Sequence, residues 1–339
     1  MADDAFAELT FRPYAPGDET AILASFNRVF AAVDPNFRPR GLAHWRWQYL
    51  ENPSGSPIYL ALAPGGEVVG HMGGVCQRMA TEFGPTLFMQ GVDHFSDPSR
   101  LHGLRRGSLL AAVGERQAEL VGGDGPDRVA LMWGPPVPAA WRVGKSFLSY
   151  ELIRTQLKLW AAPDAVRASA AGGVEVSEAA SFPDEVAELF ARAAAPHGAI
   201  AVRDRAQLDW RYRKRPGRRY AIVLARRAGR LAGYAVYARA PFDGEAEESL
   251  LVDWLVPPEE DSAAHALRAW LAARAKAEGA ERVVAVFPDT TREWMDFQAA
   301  GFRAAPTRHF IIAKIEVKRF RARWLFRRWY YTLGDTDLV

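Results

Sequence analysis

The residues best placed to do chemistry lie in one stretch, 93–117, DHFSDPSRLHGLRRGSLLAAVGERQ. Asp93 and His94 close an apolar run, 88–95, that reads as a strand. Asp97, Pro98 and Ser99 make a turn. Arg100, Leu101, His102, Gly103, Leu104, Arg105 and Arg106 then lead into a segment where Leu104, Leu109, Leu110 and Val113 recur at helical spacing. A chain entering a helix N-terminus offers free backbone N–H groups and the positive end of the helix dipole, so this segment suits a phosphate. Gly103 lets the backbone approach a ligand closely, and an arginine there can meet a phosphate itself. A basic surface loop ahead of a helix is the plainer alternative. Histidine titrates near neutral pH and suits proton transfer, so His94 and His71 are candidates beside the loop; each also reads as a hydrogen-bonded structural residue. Cys76 has no nucleophile signature around it. The seven histidines are scattered without ligand spacing, so no metal is expected.

Strands and helices must hold these groups. A short strand at 11–14 precedes a helix whose inward face is Ile22, Leu23, Phe26, Val29 and Phe30. His44-Trp45-Arg46-Trp47-Gln48-Tyr49 reads as a short helix. The segment 58–63 turns through Pro64-Gly65-Gly66 into Val68-Val69-Gly70-His71, a hairpin. After the helix beyond the loop come a strand at 129–133, a short helix at 139–143 and a closing strand at 151–160. The segment 161–173, rich in Ala and Gly, reads as a linker. The plan then begins again. Trp45-Arg46-Trp47 is answered by Trp210-Arg211-Tyr212; Pro53 and Pro216, like Gly70 and Gly233, stand 163 apart; Val92-Asp93-His94 is answered by Val252-Asp253-Trp254 at an offset of 160. A domain-sized period means two tandem domains rather than a solenoid. The expected division is residues 1–160, a linker at 161–173, a second domain at 174–317 and a basic-aromatic tail at 318–339.

The segment 100–105 resembles the pyrophosphate loop of the GCN5-related N-acetyltransferases (GNAT family), whose pattern is Arg/Gln-x-x-Gly-x-Gly/Ala. Arg100, Gly103 and Leu104 fit; Arg105 stands where the family has Gly or Ala. HWRWQYLENPSG followed by YLALAPGGEVVGH, LDWRYRKRPGRRY and the final WYYTLGDTDLV resemble tandem bacterial acetyltransferases of this family. The resemblance covers nearly the whole chain. It implies an α/β (α+β) chain of two tandem GNAT-like domains, each a mixed, mostly antiparallel sheet flanked by helices and splayed in the middle where acetyl-CoA enters. It implies acetyl-CoA as co-substrate, held by 100–106. It places a general base near Asp93, with His94 as second choice, and a thiolate-protonating tyrosine near Tyr150. A structural carboxylate is the alternative for Asp93, because Asp253 repeats it. The second half has Pro257-Pro258-Glu259-Glu260-Asp261 in place of the loop, so it is expected not to bind CoA in the usual way.

Composition bounds the partners. Of 339 residues 49% are hydrophobic and 24% charged, the balance of a globular protein. A net charge of +3 makes no global demand for nucleic acid. A lone cysteine, no signal-like apolar segment at the start and no run of membrane-spanning length lead to a cytoplasmic expectation. The tail holds Lys318, Arg319, Arg321, Arg323, Arg327 and Arg328 among aromatic residues that include Trp324, Phe326, Trp329, Tyr330 and Tyr331, and is expected to dock on the protein rather than on an anionic acceptor. The leading expectation is acetyl transfer from acetyl-CoA to the amine of a small molecule such as an amino sugar. The alternatives are an aminoacyl transferase of the peptidoglycan-branching type and a non-catalytic binding protein of the same fold. Composition and motifs leave the oligomeric state open.

Overall fold

The structure, a computed structural model, describes residues 6–97, 106–168, 172–244 and 246–339, with only the backbone at 106–108 and 139. The chain forms two compact units. The first takes Met1–Arg78, Pro85–Leu152 and Ile311–Ala322; the second takes Met79–Gly84, Ile153–Phe310 and Arg323–Val339.

The elements run in order β1 (Thr10–Pro13), α1 (Glu19–Ala31), α2 (Leu42–Tyr49), β2 (Ile58–Leu62), β3 (Val68–Thr81), β4 (Thr86–Ser96), α3 (Arg106–Val121), β5 (Val129–Gly134), α4 (Pro138–Phe147) and β6 (Glu151–Ala161). They continue with β7 (Val174–Ala179), α5 (Val186–Ala194), β8 (Ala199–Ala201), α6 (Arg205–Tyr212), β9 (Ala221–Arg227), β10 (Arg230–Pro241), β11 (Glu247–Leu255) and α7 (Asp261–Ala277). Last come β12 (Val283–Ala285), α8 (Arg292–Ala299), β13 (Arg303–Ile315), α9 (Ala322–Arg328) and β14 (Trp329–Tyr330).

In the first unit the strand order is β1-β2-β3-β4-β5, closed by the end of β13. Strand alternation sorts its side chains to two faces. Leu60, Leu62 and Val68 pack with Ile22 and Phe26 of α1 and Trp45 and Tyr49 of α2. Ala61, Val69 and Met72 point the other way, onto Leu109 and Val113 of α3. In the second unit the order is β7-β9-β10-β11-β12-β6, ending on the start of β13, and α7 packs on β7, β9 and β10. Each sheet is mixed and mostly antiparallel, as the resemblance implies. Each contains a parallel pair at the same step, β4 with β5 and β11 with β12.

Those parallel pairs stop early. The β4–β5 register ends at Gln90 opposite Trp133, although β4 runs on to Ser96. The β11–β12 register ends at Leu251 opposite Ala285, although β11 runs on to Leu255. Each sheet is therefore splayed beside its aspartate. The two Trp-Arg pairs of the sequence are not counterparts, however. The bounds of α2 and α6 match at an offset of 163, which sets Tyr49 with Tyr212 and Trp47 with Trp210, and leaves Arg46 and Arg211 unmatched.

Candidate active site

The site grows from Asp93, which sits on β4 just past the splay with a φ of 56°. A non-glycine residue in the left-handed region is uncommon, and aspartate tolerates it better than most. The twist turns the carboxylate onto the end of α2. One oxygen, Oδ2, accepts from Tyr49 Oη at 2.8 Å, from Gln48 Nε2 at 2.9 Å and from Arg40 Nη1. Arg40 lies just ahead of α2. Its backbone N–H donates to Asn27 Oδ1 at 2.8 Å, the Asn27 amide returns a bond to its carbonyl at 3.2 Å, and its guanidinium covers the Phe26 ring at 4.5 Å. Gly73 of β3 makes room for the Tyr49 hydroxyl, since a Cβ at 73 would overlap it.

Two histidines complete the group. His71 is 1% exposed, donates from Nδ1 to the Asp93 carbonyl at 2.9 Å and stacks on Phe95 at 5.3 Å. That bond fixes the tautomer and leaves Nε2 as a buried lone pair without a partner among the described residues. Burial pushes its pKa down to about 4. His94 donates from Nε2 to the Gly73 carbonyl at 3.0 Å, so its Nδ1 carries the lone pair. Burial lowers its pKa below the usual 6.5, against the pull of that carbonyl and of Asp93, and the ring is neutral at pH 7. For Asp93, burial acts to raise the pKa, but the Arg40 charge, with His71, Tyr49 and Gln48, wins and holds it below 3.8. Asp93 is thus ionised and weakly basic. Tyr150 lies apart from this hydrogen-bonded group, its ring against Gly144 and the apolar clusters beneath α3 and α4. Burial raises its pKa, so it keeps its proton.

Arg100, Leu101, His102, Gly103, Leu104 and Arg105 lie outside the described residues, and Arg106 is described only as the first residue of α3. Arg40, Gln48 and Tyr49 are functional candidates that no local motif marks. The signal was present: Arg40 and Arg203, Tyr49 and Tyr212, and His71 and Tyr234 each stand 163 apart. Cys76 is buried, and burial pushes its thiol up to about 12, so it is not a nucleophile. Among the described residues no His, Cys, Asp or Glu cluster is arranged to hold a metal.

The second unit repeats the constellation and fills it. Asp253 Oδ2 accepts from Tyr212 at 3.0 Å and Tyr234 at 2.9 Å; Oδ1 accepts from Arg203 at 3.3 Å and from the Trp254 N–H at 2.9 Å. The end of the chain enters beside it. Tyr330 donates to the Trp254 carbonyl at 2.7 Å, Thr332 Oγ1 donates to Asp253 Oδ1 at 3.1 Å, and the Asp335 carboxyl group meets Arg203 at 2.6 Å. β14 pairs with β8, and Trp329, Tyr330, Tyr331 and Leu333 are buried. At the start of α7, Glu260 is 1% exposed and paired with Arg192, Arg227 and Arg230 at 3.3, 2.9 and 3.1 Å, while Asp261 pairs with Arg292. The carboxylates expected to repel a pyrophosphate are already neutralised. The gap that the protein itself fills is the one beside Asp253.

Comparison with known proteins places this architecture. No family model and no curated protein matches the sequence. Among solved structures, the chain is similar to a probable N-acyltransferase of unknown function from Enterococcus faecalis V583, at 13% identity over 92% of this chain and 74% of the other, with a TM-score of 0.67. It is similar to a GCN5-related N-acetyltransferase from Anabaena variabilis, at 11% identity, 91% and 73% coverage and a TM-score of 0.65. A tandem GNAT protein of the clavulanic acid biosynthesis pathway matches at 18% identity over 91% of this chain and 99% of its own, with a TM-score of 0.56. The chain therefore has the GCN5-related N-acetyltransferase fold, in a tandem arrangement. No described helix is long and apolar enough to cross a membrane.

Proposed function

We propose that the protein is an acetyl-CoA-dependent N-acetyltransferase acting on the amine of a small molecule, with its active site in the first unit. The observation that carries this reading is the contrast between the two splayed sheets. In the second unit Tyr330 and Thr332 fill the gap beside Asp253. In the first unit the stretch of β4 past Gln90 carries Asp93 and His94 and leads toward the basic segment 100–106. An unpaired strand edge offers the backbone donors and acceptors that an extended amide-bearing arm needs. Arg100, Gly103 and the start of α3 suit its pyrophosphate. In the reaction the amine attacks the thioester carbonyl, forming the C–N bond and breaking the C–S bond. His94 Nδ1 takes the ammonium proton, directly or through water, Asp93 supplies fixed negative charge beside the ammonium, and the departing thiolate takes a proton from water.

The test is a thiol-release assay over a panel of amines, glucosamine included, with calorimetric titration of acetyl-CoA. Micromolar acetyl-CoA binding and amine-dependent thiol release are expected. Binding without turnover of any amine would favour a non-catalytic role. Absence of binding, with tRNA carried through purification as a high absorbance at 260 nm, would favour aminoacyl transfer.

A further inference from the structure

The second unit shows what its counterpart in the first is shaped to receive. Asp253 and Arg203 are satisfied there by two groups from one short turn of the chain. Thr332 Oγ1 donates to Asp253 Oδ1 at 3.1 Å, and the Asp335 carboxyl group takes Arg203 Nη2 at 2.6 Å. The two groups are themselves close, with Thr332 Oγ1 3.3 Å from Asp335 Oδ2. A hydrogen-bond donor and a carboxyl group this near each other reproduce the polar end of an amino acid.

Among the described residues, the first unit keeps the receiving pair without the filler. Asp93 Oδ2 is saturated by Arg40, Gln48 and Tyr49, while Oδ1 has no hydrogen-bond partner among the described residues. Arg40 spends Nη1 on Asp93 and lays its plane on Phe26; Nε and Nη2 have no partner among the described residues. Its side chain is 24% exposed, against 3% for Arg203. Guanidinium prefers a planar carboxylate, which it can grip through parallel bonds. A carboxylate with an unused oxygen beside it prefers an ammonium.

We propose that the acceptor of the first unit is an amino acid, its amine placed on Asp93 and its carboxylate on Arg40. The inference rests on the acetyltransfer reading and narrows its acceptor class. An acceptor without the carboxylate forfeits the charge-assisted bonds to the remaining edge of the Arg40 guanidinium, so a site of this kind discriminates against it.

The experiment uses the full chain and matched acceptors: lysine with cadaverine, phenylalanine with phenethylamine, and glucosamine as an amine without a carboxylate. At least tenfold higher kcat/KM for the amino acid of a pair is expected. Arg40→Gln is expected to bring that ratio toward unity, chiefly through KM, and Arg40→Lys to retain part of it. Equal or better turnover of the decarboxylated amines or of glucosamine would overturn the proposal, as would an Arg40→Gln variant that slows both members of each pair alike. A thermal-shift titration of the wild-type protein with the same compounds needs neither turnover nor a folded variant. Stabilisation by amino acids and not by their decarboxylated partners supports the proposal even if acetyl transfer fails; equal stabilisation or none by both sinks it while leaving acetyl transfer standing.

Discussion

Asp93 and Asp253 hold corresponding places and differ in what completes them. Asp253 is enclosed by Arg203, Tyr212, Tyr234, Thr332 and its neighbour's N–H, and is 1% exposed. Asp93 keeps Arg40 and Tyr49 in the same roles, gains Gln48, and has His71 where its counterpart has Tyr234. The Arg40 charge lowers its basicity, and in the proposed mechanism the proton-accepting role falls one residue along, to His94. His94→Ala is expected to lower kcat by roughly 10²–10⁴-fold with acetyl-CoA binding retained. The sign of the pH dependence follows: the base works deprotonated, so wild-type kcat falls as pH drops through a value below 6.5, and the variant loses that limb. A variant with unchanged kcat and the same acid limb would return the role to Asp93. Asp93, His94 and Tyr150 were all visible in the sequence as chemistry. Arg40, Gln48 and Tyr49 were not, because a buried network is assembled from distant segments and only the repeat offset hinted at it.

At the scale of elements, the two parallel pairs and the filling of one gap govern the division of labour. Hairpins, amphipathic helices and the repeat were legible from period and turn residues. The splay was legible only through the family resemblance, since nothing in the residue pattern of 86–96 marks where its pairing with β5 ends. Carboxylates at 259–261 were read as repulsive; their arginine partners come from 192, 227, 230 and 292, segments that no local motif links to them. Asp335 supplies a pH test of the filled gap. Burial raises its pKa, and Asp253 adds to this against Arg203. A raised carboxyl pKa stabilises the fold fully below the unfolded value near 3.8, and that contribution fades as pH rises through the folded value. Asp335→Asn should therefore flatten the decline in second-unit stability above pH 4, read as Tm against pH in calorimetry. A decline of unchanged slope in the variant would assign the pH dependence to another group.

At the scale of the molecule, the filling of the second unit beside Asp253 leads us to predict one co-substrate per chain. Calorimetry is expected to give one acetyl-CoA site, and Gly103→Glu to abolish it by setting bulk and negative charge against the phosphates. Two equivalent sites, or binding that survives the substitution, would contradict the assignment. The repeat announced two units, but not that the first would take its last strand from beyond the second. Residues 312–315 of β13 cover the edge of β5 at 131–134, and the ribosome makes all of the intervening chain before it makes them. At about 5–20 residues per second this delay is roughly 10–35 s. Throughout it the nascent first unit presents β5 as a bare edge, the surface on which stray strands add and aggregates begin. Closure of the first unit is thus a late event, which waits until residues 312–315 have been made.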